Sequence, residues 1–423
     1  MSTSALSRAR RRRGFITLGI SAILAISLTA CGESVGPTGQ VAGLEILSGP
    51  DLVGTVGEPM ATPIRVKVID GRGSGVAGAE VEFTASPGGY IETESSNSGN
   101  ATIHHRSLAV ATNDEGVAAT IWTLGERAGD QTITARVADL PPVEYHAVAQ
   151  PGPPAALVVA AGDKQLGVVE KDLDNPLTAK LRDTYGNGIP GHSIAWQLSA
   201  GTGELSTPMS QTDLSGEASV VLTLDTTVGL RSVTATYEAF DPAEFLAVGL
   251  GVVVRDEVGD TFSWGRSGFV TLPDVVAFGA GWADTVLLVG VTFNDEVSPA
   301  NIGGPNLMGG NLDFDTDLSR ATGEVSAIDV QRRSGEETGM GVDVYVDMFA
   351  RSSGNFVVFA FTPNFSFLGQ ITPTFRGELV HFEVPQSMLG TDSLSMALVV
   401  ATAREATDIA PENGAAILRR SGN

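Results

Sequence analysis

One cysteine, Cys31, stands in the 423 residues, so no intrachain disulfide can form and stability must come from packed cores. Basic residues are scarce: 26 lysines and arginines face 49 acids, and five arginines fall within the first thirteen residues. Removing residues 1–30, which carry those five arginines and no acid, takes the net charge from −23 to −28. A surface of that sign repels a phosphate backbone, which excludes nucleic acid as a partner. It equally excludes electrostatic attachment to an anionic bilayer. Histidines number five, and adjacent residues on a strand face opposite ways, so the pair His104–His105 makes a poor chelate. There is no Gly-x-Ser-x-Gly elbow, no phosphate-cradling loop with a lysine and no His-Glu-x-x-His. The expectation is a protein that is not an enzyme and has no catalytic residues. Long helical periods are lacking too. Abundant glycine (51 residues) with many Val, Thr and Ile segments predicts an all-β protein rich in turns.

The amino-terminal segment reads as an address and an anchor. Arg8, Arg10, Arg11, Arg12 and Arg13 precede an uncharged apolar run from Gly14 to Leu28. Such a run is short of the ~20 residues a membrane helix needs and suits the core of a signal peptide. Leu28-Thr29-Ala30-Cys31-Gly32 follows, and it resembles the bacterial lipobox. That resemblance implies cleavage before Cys31, a diacylglyceryl group on its thiol and a further acyl chain on the freed amine. Two or three chains anchor stably, at about 0.8 kcal/mol per buried CH₂. Arg12-Arg13-Gly14-Phe15-Ile16 also resembles a twin-arginine export signal, which leaves the export route open between that pathway and the general one. Gly32 to Gln40, rich in Gly, Ser and Pro, reads as a tether.

Beyond the tether the chain repeats. Ile64-Arg65-Val66-Lys67-Val68 alternates apolar and polar residues, passes through the glycine-rich stretch Asp70–Gly78, and alternates again over Ala79–Thr84. Shifted by 113, Leu177, Ala179 and Leu181 keep the apolar face, Asp183, Gly186, Gly188 and Gly191 keep the turn, and Ile194 and Trp196 replace Val81 and Phe83. The second half of the unit matches at a shift of 100: Thr112, Gly116, Ala118, Leu124, Gly129 and Ala135 pair with Thr212, Gly216, Ala218, Leu224, Gly229 and Ala235. The difference of 13 is a longer loop in the first unit between Ala85 and Thr112. Short strands with glycine turns in units of about 100 residues predict immunoglobulin-like sandwiches. Over residues 42–250 the chain resembles the bacterial immunoglobulin-like group 1 domains of the invasin and intimin adhesins. Such domains usually act as stalks. The chain carries neither those adhesins' outer-membrane barrel region nor their cysteine-bonded lectin tip. Gln150-Pro151-Gly152-Pro153-Pro154 is a stiff junction between the units.

After residue 255 the repeat ends and phenylalanine becomes frequent. The runs at 285–293, 342–349, 356–361 and 394–401 read as strands of a larger sandwich. Gly259-Asp260, Pro273-Asp274, the Asp313–Asp317 run and Asp408-Ile409-Ala410-Pro411 come in an order similar to that of sandwiches of the DOMON type, a resemblance that implies fold only. Asp313, Asp315 and Asp317 alternate, so on a strand they share a face. Three carboxylates close together suit a hard cation, which makes them candidate calcium ligands; the competing reading is a solvated acidic turn. Trp264 and Trp282 are candidate sugar-stacking rings, against a place in the core.

The expected organisation is a lipoprotein signal peptide (1–30), a flexible tether (31–41), Ig-like units (42–150 and 151–250) and a C-terminal β-sandwich domain (251–423). The expected function is a lipid-anchored cell-envelope protein, at the outer membrane or cell surface, whose Ig-like stalk presents a binding or adhesion domain to a protein or glycan. A purely structural envelope protein and a glycan-binding accessory of polysaccharide breakdown are the alternatives. Calcium is the one cofactor considered, and the lipid anchor joins the chain to the membrane.

Overall fold

The computed structural model describes residues 39–49, 51–93, 104–261, 272–299, 306–326, 329, 338–349, 357–401, 406–411 and 414–419. Cys31 and Trp264 lie outside these residues. The chain folds as tandem Ig-like β-sandwiches followed by a larger sandwich.

In the first sandwich, alternation puts Ile64, Val66 and Val68 inside with Arg65 pointing out. One sheet runs Val41–Ile46, Ile64–Asp70, Val117–Thr123, Tyr90–Thr93. The other runs Asp51–Thr55, Val143–Gln150, Gly129–Arg136, Glu80–Ala85, Ser107–Ala111. The chain therefore changes sheets early. Val41–Ile46 pairs antiparallel with Ile64–Asp70, and Asp51–Thr55 then pairs parallel with Val143–Gln150. The second sandwich repeats the device, with Ala156–Ala161 antiparallel to Leu177–Arg182 and Gln165–Val168 parallel to Ala243–Leu250. Phe83, Trp122 and Tyr145 fill the first core, and Trp196, Leu222 and Phe245 fill the matching places of the second.

The shared turn residues have a physical reason. Asp70 Oδ1 accepts the N–H groups of Arg72 and Ser74, and Asp183 Oδ1 accepts those of Tyr185 and Asn187, all at 2.9 Å. Each is an aspartate closing its own turn. Thr112 Oγ1 donates to Val76 O (2.6 Å) and accepts from Ala79 N (2.9 Å); Thr212 Oγ1 does the same with Ile189 O (2.7 Å) and His192 N (2.9 Å). A Cβ on Gly188 would stand 1.7 Å from Ser215 O, so backbone passes too close there for any other residue.

The units touch through built joints. Asn187 Nδ2 donates to Glu126 O (2.7 Å) and its Oδ1 accepts from Ala128 N (2.9 Å), which ties a turn of the second sandwich to a loop of the first. The next joint is apolar: Leu166, Val248 and Leu250 of the second sandwich pack with Ala277, Leu288 and Leu379 of the third. Around it Lys164 pairs with Glu378, and Arg255 Nε donates to Asp174 (2.7 Å).

The C-terminal sandwich pairs two sheets. The first runs Val252–Arg255, Val275–Ala283, Val286–Phe293, Leu379–Pro385, Thr374–Arg376. The second runs Phe367–Ile371, Val358–Phe361, Val344–Asp347, Leu307–Asp315, Ser393–Ala401, Ala406–Ala410. Phe278, Phe314, Phe382 and Met396 are buried between them.

Candidate functional sites

The strand expected to carry three aligned aspartates ends at Asp315, and Asp317 sits in the turn beyond it. Asp313 and Asp315 share the face opposite Phe314, both 2% exposed. They then part. Asp313 Oδ2 accepts from Ser326 Oγ at 2.6 Å. Asp315 instead converges with Asp317 and Asp343, one carboxylate oxygen from each lying within 4.8 Å of the others. Each carboxylate also receives donors: Ser319 N reaches Asp315 (3.2 Å) and Asp317 (2.9 Å), Thr322 Oγ1 reaches Asp317 (2.7 Å), and Thr316 N and Oγ1 reach Asp343 (both 2.9 Å). The convergent set is thus Asp315, Asp317 and Asp343. Asp343 joins because it directly precedes the neighbouring strand, Val344–Asp347, a pairing that sequence spacing could not supply.

A second triad lies at the edge of the two sheets. Asp274 precedes Val275–Ala283 in one sheet, Asp408 lies in Ala406–Ala410 of the other, and Asp260 follows Val252–Arg255. Their carboxylate oxygens meet within the same 4.8 Å. Asp408 is 1% exposed and accepts from Val275 N (2.6 Å) and Ile409 N (2.8 Å). Asp274, 7% exposed, accepts from Gly259 N (3.0 Å). Asp260 Oδ1 is buried with no hydrogen-bond partner. Burial, reinforced by the neighbouring carboxylates, pushes Asp408 up to about 7, and burial likewise raises Asp274 and Asp260. Either a shared proton or a hard divalent cation neutralises such a set. The sequence presented these three aspartates only as points of resemblance, far apart along the chain.

Trp282 is half-buried and packs against the C-terminal core, with its indole Nε1 buried and without a hydrogen-bond partner. His104 Nδ1 lies 3.3 Å from Glu92, while His105 enters the ladder through its backbone opposite Ile91.

No curated protein matches the chain. Among solved structures, the FdeC adhesin of Escherichia coli is similar at 13% identity, over 88% of this chain and 98% of that one, with a TM-score of 0.32. Invasin, a bacterial integrin-binding protein, is similar at 17% identity, over 86% of this chain and 58% of that one, with a TM-score of 0.24. The D0–D1 domains of intimin share 18% identity over 49% of this chain and 95% of theirs, with a TM-score of 0.18. In sequence, residues 171–241 match the bacterial Ig-like domain (group 1), so the family likeness falls on the second of the two sandwiches.

Proposed function

We propose that this protein is a lipid-anchored component of the bacterial cell envelope, in which two Ig-like sandwiches form a stalk and the C-terminal sandwich is the binding domain. Cys31 carries the lipid, and the membrane is its first partner. Gly32 after that cysteine, rather than aspartate, favours the outer membrane or cell surface over inner-membrane retention. The observation that supports a stalk most directly is the joint chemistry: Asn187 bridges the first two units, and the Leu166–Leu250 cluster fuses the second to the third. Joints of this kind limit the relative motion that is the default between domains. They suit a chain that holds its last domain away from an anchor. Calcium is the cation we assign to Asp315, Asp317 and Asp343.

Membrane fractionation with labelled palmitate tests the anchor. The wild-type chain should sediment with membranes and take up label, and Cys31→Ser should do neither. Wild-type partitioning by Cys31→Ser overturns the anchor. For the binding half, the chain freed of its lipid is probed on arrays of glycans and of envelope or host-surface proteins. Failure to bind on both would favour a purely structural role.

A further inference from the structure

On the C-terminal sandwich, one sheet face is committed to the core through Leu312, Phe314, Val344, Val346, Val358 and Ala360. Alternation sends the residues between them to the other face. There the register aligns Asp313 with Tyr345, Tyr345 with Phe361, and Phe361 with Phe367, a single row across four strands. Tyr345 stacks on Phe361 at 5.7 Å, and Phe361 meets Phe367 at 5.8 Å. Phe367 is 60% exposed. An aromatic row on an outward sheet face goes beyond what solubility or core packing asks for, and contiguous patches of this kind mark binding surfaces.

Phe365 completes the arrangement. It sits at the tip of the Thr362–Ser366 turn, 78% exposed, with φ at +63°. That left-handed conformation is disfavoured for a side chain with a Cβ, and glycine or asparagine would serve the turn better. The turn is closed by Phe365 N donating to Thr362 O (2.8 Å), so the strain is held by the local bonding. The result is a ring set at 85° to that of Tyr345, centroids 6.3 Å apart. Strain combined with exposure of a large apolar ring is a functional signature rather than a folding one.

The two rings bound a cleft of about 350 Å³ whose other lining includes Val342, Asn311, Asp313 and Glu324. Among the described residues, no lysine or arginine lines it. An anion is repelled by this wall. A neutral polyol can donate to the carboxylates, but it leaves the charge of Glu324 unpaired. A strongly hydrated metal ion gains nothing from the aromatic faces. A cation bearing methyl groups satisfies both parts, because an aromatic face attracts it while the exposed Glu324 supplies charge. A phosphate beside the cation would meet Asp313 and Glu324, so the ligand carries none.

We propose that this cleft binds a quaternary ammonium group without an adjacent phosphate. The inference rests on reading the C-terminal sandwich as a binding domain, and it gives that domain a ligand class.

The test is calorimetric titration of the full chain, solubilised in non-ionic detergent, with choline chloride. The comparison ligands are 3,3-dimethyl-1-butanol, its uncharged isostere, and phosphocholine, which sets a phosphate beside the cation. Choline should saturate, and the isostere should bind about tenfold more weakly. Phe365→Ala should weaken choline about fivefold and Glu324→Gln about threefold, as expected for one aromatic face and one charge. Both side chains are exposed, so unchanged melting curves will show that the fold is intact. Equal affinity for choline and isostere, indifference to Phe365→Ala, preference for phosphocholine over choline, or no saturation up to roughly 50 mM choline each overturns the proposal. The membrane fractionation above is separate. Loss of choline binding with the anchor intact removes the ligand and leaves the stalk; failed anchoring with choline bound does the reverse.

Discussion

Arg231 donates from Nη2 to Asp225 Oδ1 at 2.7 Å, at the position where the first sandwich carries Gln131. Both side chains staple the same loop. Gln131 takes Gly125 N on its Oε1 (2.7 Å) and gives its Nε2 to Arg127 O (2.8 Å). Arg231, 2% exposed, gives its guanidinium to Thr202 O and Thr227 O as well as to Asp225. Hydrogen bonds from Thr202, Thr227 and Arg231 together hold the Asp225 carboxyl well below the usual carboxylate range. The two repeats thus solve one loop problem with a neutral amide and with an ion pair.

That difference gives the first prediction. Arg231→Ala leaves several carbonyls without donors and should destabilise the second sandwich by roughly 3 kcal/mol. Arg231→Gln combined with Asp225→Gly installs the first repeat's solution and should recover more than half of that loss. Urea melts of the two variants decide it, and equal losses would show that the amide cannot replace the pair.

Asn187 gives the second. Asn187→Ala removes both bonds to the first sandwich and one to Asp183 (2.9 Å). Gly57→Ala acts on the same joint from the other side, because its Cβ would stand 2.5 Å from Tyr185 Oη at a φ of +73°. Either should broaden the interdomain distance distribution in solution scattering, at a cost of about 1–2 kcal/mol to its own sandwich from the lost bonds at Asn187 or the left-handed φ at Gly57. A scattering profile identical to wild type would remove this joint from the stalk.

How far these features were legible in sequence depends on their range. The repeats could be read because their signals are local: period-two alternation at Ile64–Val68 and Leu177–Leu181, and aspartates that close turns two to four residues away. Asp313, Asp315 and Asp317 were visible as a motif, but their company was not. Which carboxylate turns toward Asp343 and which toward Ser326 depends on strands brought together by pairing. The triad Asp260, Asp274 and Asp408 needs both sheets folded before it exists. The aromatic row was hidden for a different reason: Phe359 and Phe361 alternate with Val358 and Ala360, and either set could have faced the core.

Calcium provides the third prediction. Adding it should raise the melting temperature of the C-terminal sandwich, and Asp315→Ala and Asp343→Ala should each remove the response to the Asp315 site. Asp313→Ala should cost stability, because Ser326 loses its acceptor, yet keep that response. Identical melts in EDTA and in excess calcium would reject the site.

The buried triad gives the fourth. Asp408, raised to about 7 by burial, prefers its proton in the folded chain, whereas the unfolded carboxyl titrates near 3.8. With cations chelated, the stability contributed by that proton is fully present below the unfolded value and is lost as pH rises through about 7. The loss is on the order of 4 kcal/mol. Asp408→Asn should flatten the slope between pH 5 and 8, though its amide nitrogen only donates, so one of Val275 N and Ile409 N loses its acceptor. A wild-type melt that does not vary over this range in EDTA would sink the prediction.

The last prediction concerns which force holds the second joint. Two ion pairs cross it, but Lys164, Glu378, Arg255 and Asp174 keep between 28% and 59% of their side-chain surface in solvent. Pairs so exposed contribute at most about 1 kcal/mol each and are screened by salt. Leu166 is 1% exposed within the apolar cluster, and its truncation to alanine should cost about 2–4 kcal/mol. Lys164→Ala should therefore leave the joint rigid in 0.5 M salt, while Leu166→Ala should let the C-terminal sandwich reorient, read as a wider distance distribution between spin labels on the two units. If the lysine variant loosened the joint more than the leucine variant, charge rather than apolar packing would be what couples the stalk to its final domain.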